Sequence, residues 1–310
     1  MREQAYLDSL KVKRLYLRFF DVDWHARRQQ AAPIGLLRLS AQAPTLPQLT
    51  EIVPTFFITQ RTLQNLPDSA VTALAQQMAQ KCMALARSPR FKATFPRAIF
   101  PEFQLDCDWT AGTRAKYFRL LKAFQAQMPT SARLSHTLRL HQYRHPQQTG
   151  VAPTNRAALM FYNMGELDDS LQNSILNLEV ARAYLQRPQP YPQPLDIALP
   201  LFSWAVVYRN GQVLNLLAGL DEATCRQNPA FKPQKESWFI VQKNHYYHGI
   251  YFYKGDRLKI ERIFPEALAE AYRMLKQRLR PMPTRIIFFH LSPEIVHHFP
   301  AALLWKKLQE

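Results

Sequence analysis

Glycine is scarce in this 310-residue chain, with eight residues against 23 prolines. That excludes a collagen-like repeat and a flexible Gly-rich polymer. The prolines fall mostly between periodic segments, as loop punctuation should. Cysteine is almost as rare: Cys82, Cys107 and Cys225 have no metal-type spacing and leave one over after any pairing. They read as free, mostly buried thiols and not as a disulfide framework. No run approaches the ~20 apolar residues of a membrane-spanning helix, and the opening "MREQAYLDSLKVKRL" has no apolar signal core. The chain as given therefore reads as a soluble, cytoplasmic protein. Gly-x-Ser-x-Gly, Walker, Rossmann and His-Glu-x-x-His patterns are missing, as are RNP, zinc-finger and helix-turn-helix signatures.

Acidic residues are also few, 23 against 40 Lys plus Arg, for a formal charge of +17. Such an excess attracts polyanions. The cations are scattered singly, however, as in "KVKRLYLR" and "YRMLKQRLRP", which describes a generally basic surface with nucleic acid not expected as partner. Apolar residues make up 47%, including 19 Phe, 13 Tyr and 5 Trp, enough for a sizeable core.

Apolar runs at 14–23, 51–59, 100–109, 132–143, 157–165, 195–208, 237–242 and 284–292 predict strands. Pro200 suggests a break near the end of the sixth. A hairpin is expected over 249–263 about Lys254-Gly255-Asp256. Helical spacing covers 66–88, with Asp68 or Ser69 as N-cap, then 113–128, 170–187, 265–280 and the tail. About eight buried strands alternating with helices, and no Ser/Gly linker, predict one (β/α)8 TIM barrel over 1–310 with its core at 11–300. A doubly wound open sheet is the alternative, but no Gly-rich loop follows the first strand.

In a barrel, side chains at the C-terminal strand ends converge on one mouth. The doubled motif Asp-x-Asp-Trp, in "FFDVDWH" and "QLDCDWT", would place Asp21, Asp23, Trp24 and Asp106, Asp108, Trp109 there. Arg139, His141 and Gln142 would join from the fourth strand; Tyr162, Asn163 and Glu166 from the fifth; Ser203 and Trp204 from the sixth; His245 and His290 from the last two. Residues i and i+2 share a strand face, so Asp106 and Asp108 would point together with Cα atoms ~6.6 Å apart. Adjacent like charges raise one pKa, which suits a general acid beside an ionised carboxylate, the pair that glycoside hydrolysis uses. Trp24, Trp109 and Trp204 could stack on sugar rings. Either aspartate could equally pair with Arg139 or cap a helix. His136 reads as a core histidine, Trp238 and Trp305 as packing residues, and His297-His298 as surface. His141 and His145, on a strand and loop, are not expected to bind a metal.

The segments "LYLRFFDVDW", "IVPTFFIT", "EFQLDCDWT…KYF", "LSHTLRLHQ", "LMFYNMG", "LDIALPLFSW" and "IIFFHLS" together resemble an uncharacterised bacterial family of TIM-barrel proteins related to glycoside hydrolases, over roughly 11–300. The resemblance implies a (β/α)8 fold and a cell-envelope setting, since such proteins are often exported lipoproteins. "QLDCDW" also looks like the Asp-x-x-Asp-x-Asp-x-Glu strand of chitinase-like barrels, matched at Asp106 and Asp108, with Thr110 where the acid Glu would stand. The expectation is a hydrolase-like barrel acting on or binding a poly- or oligosaccharide, without a cofactor. Asp106, Asp108, Glu166, Asp21 and Asp23 are its candidate carboxyls. A non-catalytic glycan-binding barrel is one alternative; a metal-dependent hydrolase using Asp21, Asp106 and His141 is another.

Overall fold

The computed structural model describes residues 2–167, 172–187, 189–247, 249–292, 296 and 299–309. Fifteen strands are present among them: β1 (Arg14–His25), β2 (Gln30–Ile34), β3 (Glu51–Ile58), β4 (Glu102–Asp106), β5 (Arg133–Leu138), β6 (Arg156–Met160), β7 (Leu195–Pro200), β8 (Trp204–Arg209), β9 (Gln212–Ala218), β10 (Phe231–Pro233), β11 (Trp238–Val241), β12 (His245–Tyr247), β13 (Ile250–Phe252), β14 (Arg257–Glu261) and β15 (Ile286–Phe289). Eight of them form a sheet of order β15-β7-β6-β5-β4-β3-β1-β2. β1, β3, β4, β5 and β6 run parallel. The four-residue steps in the bonds Ala157–Pro194, Phe161–Ala198, Ile197–Arg285 and Leu201–Phe289 extend that direction through β7 and β15. Only β2 is antiparallel, folded back on the end of β1.

The chain divides into two compact units. The first comprises Met1–Met160, Arg187–Ile197 and Arg280–Arg285. Its crossover helices, Val71–Arg87 after β3 and Arg114–Gln125 after β4, cover one face of the sheet. There Phe56 meets Phe124 at 5.4 Å and Phe103 meets Phe124 at 6.2 Å. Strand alternation puts Glu102, Gln104 and Asp106 of β4, and Ser135 and Thr137 of β5, on the other face. β1 contributes Arg14, Tyr16 and Arg18 to that face until a bulge between Arg18 and Phe20 shifts the register. The extra residue reverses the alternation. Phe19 and Phe20 are therefore both fully buried, and Asp21 lines up with Phe57, which itself pairs with Asp106.

At the opposite, N-terminal end of these strands lies a buried ion cluster. Glu102 is 1% exposed; it accepts from Arg285 at 2.7 Å, from Arg14 at 3.2 Å and from the Tyr16 hydroxyl at 3.4 Å. Arg14 also bonds Glu51 at 2.7 Å, and Arg156 grips Asp196 at 2.9 and 3.0 Å. Arg285 stands 3.5 Å from Asp196, completing the chain of charges. Buried charges demand such pairing.

The second unit comprises Phe161–Gln186, Ala198–Leu279 and Ile286–Glu310. Here the expected single strand over 195–208 is two strands, β7 and β8, broken directly after Pro200. β8 starts a five-stranded antiparallel sheet of order β10-β11-β14-β8-β9. Its core gathers Ala205, Val207, Phe231, Phe239, Phe252, Leu258 and Ile260. The run 237–242, expected as a barrel strand, is β11 of this sheet, paired with β10 and β14. Its apolar residues satisfy a sheet core of either kind, so composition could not separate them. Nor do the two halves of 249–263 pair with each other. β13 pairs with β12, while β14 pairs with β8 and β11, because Asp256 is buried at the turn and anchored by Arg209 at 2.8 and 3.0 Å.

The helix expected over 170–187 is Leu178–Leu185, started by Asn177, whose side chain accepts from the Glu179 and Val180 amides; Ser170 and Leu171 lie outside the described residues. Asp68 and Ser69 open a 3-10 turn before the third helix without a side-chain cap. Asp68 instead bonds Arg119 at 2.6 Å. The tail helix is Ala301–Gln309; His297, His298 and the Trp305 side chain lie outside the description.

Candidate functional site

The first unit brings Asp21, Asp23, Asp106, Asp108 and Arg139 to the C-terminal ends of β1, β4 and β5. Register places Asp21, Phe57, Asp106 and Thr137 in one row across four strands. Each aspartate has its own environment. Asp21 is gripped through both oxygens by Arg18, at 2.5 and 2.6 Å. Asp23 is gripped by Arg61 and accepts from the Thr59 hydroxyl at 2.8 Å and the Trp24 amide. The Arg61 guanidinium is the main reason its carboxyl is held below the usual range. Asp108 bonds Arg139 at 2.8 Å through Oδ2 alone.

Asp106 differs. Among the described residues no cation pairs with it, and its one hydrogen bond is from the Thr137 hydroxyl at 2.7 Å. Part of the residue faces solvent while protein packs round most of the carboxyl, and its pKa is pushed up to about 6. Burial is the largest cause; the Asp108 charge adds to it, and Thr137, Arg18 and Arg139 oppose it. The sequence pattern anticipated the like-charge effect but not its subordinate rank. At pH 7 a carboxyl with this pKa keeps its proton in roughly a tenth of the molecules, and in half of them near pH 6.

Several expected positions turn out to be structural. Trp109 is 1% exposed, stacked on Tyr117 at 5.2 Å, and donates Nε1–H to the Thr149 carbonyl at 3.0 Å. Trp24 is also buried. Neither indole offers a face to a sugar: alternation on β1 turns Trp24 inward, and Trp109, three residues past the end of β4, packs against Tyr117, Phe118 and His136. Gln142 is fully buried, donating to the Trp109 carbonyl and accepting from the Arg139 amide. β5 ends at Leu138, so His141 sits on the helix Leu140–Arg144, exposed, with His145 at its end. Partial desolvation of the ring by its neighbours, and then the Arg139 charge, lower the His141 pKa. Among the described residues no three His, Cys, Asp or Glu side chains gather as a metal-ligand set. His136 is the core histidine expected: fully buried, bonded to Thr154 at 2.8 Å, with desolvation lowering its pKa to about 3.

The remaining candidates belong to the second unit. Tyr162 stacks on Phe289 at 5.3 Å, and His290 lies against Phe202 at 6.1 Å. Trp204 donates Nε1–H to buried Glu261 at 3.0 Å. Asn163 and Glu166 are exposed. Residue-type reasoning missed Arg18, Arg61 and Thr137. Thr137 was readable, two residues before Arg139 on an alternating strand. Arg18 was not, since the bulge that brings Asp21 to it leaves no compositional mark.

The parallel sheet and its crossover helices have the fold of a TIM barrel, and solved structures of similar fold include chitinases. The chain is similar over 99% of its length to the spore cortex-lytic enzyme SleL of Bacillus cereus, with TM-score 0.55, 13% identity and 69% of that chain covered. A glycoside hydrolase family 18 N-acetylglucosaminidase from Paenibacillus barengoltzii superposes with TM-score 0.52 at 10% identity, over 99% of this chain and 95% of that one. A chitinase-like agglutinin from Robinia pseudoacacia gives TM-score 0.52 at 11% identity, over 99% and 96%. No family model matches the sequence, and no curated protein matches it.

Proposed function

We propose that the protein hydrolyses a glycan at the β1/β4/β5 mouth, with Asp106 as proton donor. The observation that carries this reading is the state of Asp106: the mouth carboxyl without a guanidinium partner, with its pKa raised to about 6 next to Asp108. A protonated Asp106 gives its proton to the leaving glycosidic oxygen as the C–O bond breaks, and water adds to the anomeric carbon, returning a proton to the Asp106 carboxylate. Asp108, with one oxygen outside its Arg139 bond, supplies negative charge beside the positive character developing on the sugar. The proteins of similar fold include a cortex-lytic enzyme and an N-acetylglucosaminidase, which supports a glycan as substrate class.

The test is a panel of neutral and amino-sugar oligosaccharides scored for both binding and turnover. Asp106→Asn should lower kcat about 10²–10⁴-fold, the usual worth of a general acid, with KM little changed. Wild-type activity should fall as pH rises through about 6, where Asp106 loses its proton. Saturable binding without turnover by any substrate would sink the hydrolase reading.

That outcome would favour a second reading, a glycan-binding barrel without catalysis. Its specific support is that Arg18 and Arg61 occupy Asp21 and Asp23, and that Thr110, bonded to Thr113 at 3.3 Å, stands at the position of the chitinase acid. A chitinase-like agglutinin is among the proteins of similar fold.

A further inference from the structure

The stretch "KNHYYHGIYFYKGDR" lies in the second unit and has no part in the mouth described above. In the hairpin β12–β13, His245 opposes Phe252, Tyr246 opposes Tyr251 and Tyr247 opposes Ile250. Directly opposed residues share a face. One face packs inward: Phe231 touches His245, Tyr247 and Phe252 at 5.2–5.7 Å. The other carries Tyr246 and Tyr251, and Tyr253 continues it two residues on. These three rings are 71%, 48% and 49% exposed. Three tyrosines this open on one short stretch form an aromatic surface that the fold leaves largely uncovered.

Charge around it has one sign. Between 242 and 257 the single acid is Asp256, 4% exposed and bonded to Arg209 through both oxygens. Exposed Lys243 and Lys254 flank the base of the ribbon, where the Lys254 amide donates to Asn244 Oδ1 at 2.7 Å. Arg209 lies 4.5 Å over the Tyr253 ring and also donates to the Tyr251 carbonyl, fixing that end of the face.

We propose that this tyrosine face binds an acidic polysaccharide, a chain of uronate sugars. The rings would stack on apolar sugar faces while Lys243 and Lys254 meet the carboxylates. Single-stranded nucleic acid also seeks aromatic and basic surfaces. Here, though, Tyr251 and Tyr253 touch edge to face at 5.1 Å and 74°, which leaves no slot for a base between them. A sugar needs only their outer surfaces.

The experiment measures binding of the full chain to polygalacturonate, with neutral dextran and oligo-dT as comparison probes, at two salt concentrations. Wild type should bind polygalacturonate, more weakly at high salt. Tyr246→Ser together with Tyr251→Ser should lose at least about tenfold in affinity, the order of a lost ring contact or two. Tyr246→Ser alone, at the most exposed ring, should lose several-fold with an unchanged circular dichroism spectrum. Lys243→Gln with Lys254→Gln should weaken binding and flatten its salt dependence. The double tyrosine variant should bind or turn over the neutral oligosaccharides of the mouth as wild type does, which separates this surface from it. The proposal is overturned if polygalacturonate does not bind, if the folded tyrosine variants bind it as wild type does, or if oligo-dT alone is captured through these tyrosines.

Discussion

Asp106 illustrates how one carboxyl can be singled out by what is missing around it. Asp21, Asp23 and Asp108 each lean on an arginine, whereas Asp106 has the Thr137 hydroxyl and a largely protein environment. Its raised pKa has a cost in stability. In the unfolded chain an aspartate titrates near ~3.9, and in the folded chain Asp106 holds its proton up to about 6. Between those values the folded state binds more protons than the unfolded one, so stability falls as pH rises through that window and stays lower above it. The penalty at pH 7.5 is about 1–3 kcal/mol, allowing for the part of the residue open to solvent. Asp106→Asn should therefore melt higher than wild type at pH 7.5, with the gain gone near pH 4. An equal loss of stability at both pH values would refute the charge penalty. The Asp-x-Asp spacing was legible because the in-out pattern continues past the end of β4: Asp106 and Asp108 are partly open while Cys107 between them is buried. The arginine pairings were not, because they depend on long side chains whose reach no spacing rule sets.

At the scale of elements, the two ends of the parallel strands divide the labour. The C-terminal ends carry the aspartates proposed as the site, while the N-terminal ends close on Arg14, Glu51, Glu102, Arg156, Asp196 and Arg285. Glu102 is the hub, so removing its charge leaves Arg14 and Arg285 short of a counter-ion in a buried setting. Breaking one side of such a cluster costs about 3–5 kcal/mol. Glu102→Gln should shift the urea midpoint by that equivalent, and Glu102→Leu with Arg285→Leu should recover part of it. A Glu102→Gln midpoint equal to wild type would mean that the cluster contributes nothing net. Most parallel strands were legible as apolar runs between helical segments. The strands of the inserted sheet were legible as strands but not as a separate sheet, since a buried β11 and a buried barrel strand have the same composition. The doubled Phe19-Phe20 hinted at the bulge: two adjacent fully buried residues break strict alternation.

The whole chain interleaves its two compact units. The first takes Arg187–Ile197 and Arg280–Arg285 from the second half of the sequence, and the boundary falls inside β7, between Ile197 and Ala198. Half a strand gains little by folding alone, because its ladder bonds are what offset the entropy of fixing the backbone. Ala157 to Pro194 and Ile197 to Arg285 are bonded in one unit, and Phe161 to Ala198 and Leu201 to Phe289 in the other, so β7 must form for either set to exist. We propose on this basis that 1–310 behaves as one folding domain despite its two units. Trp24 and Trp109 report on the first unit, and Trp204 and Trp238 on the second, to which Trp305 also belongs. Replacing the first pair, or the second pair together with Trp305, by Phe leaves tryptophan fluorescence to the other unit. Both variants should unfold in urea in a single transition coincident with the loss of far-ultraviolet circular dichroism, after correction for their different stabilities. Two separated transitions, one following each tryptophan set, would show instead that the units fold independently and that the mid-strand boundary carries no cooperativity.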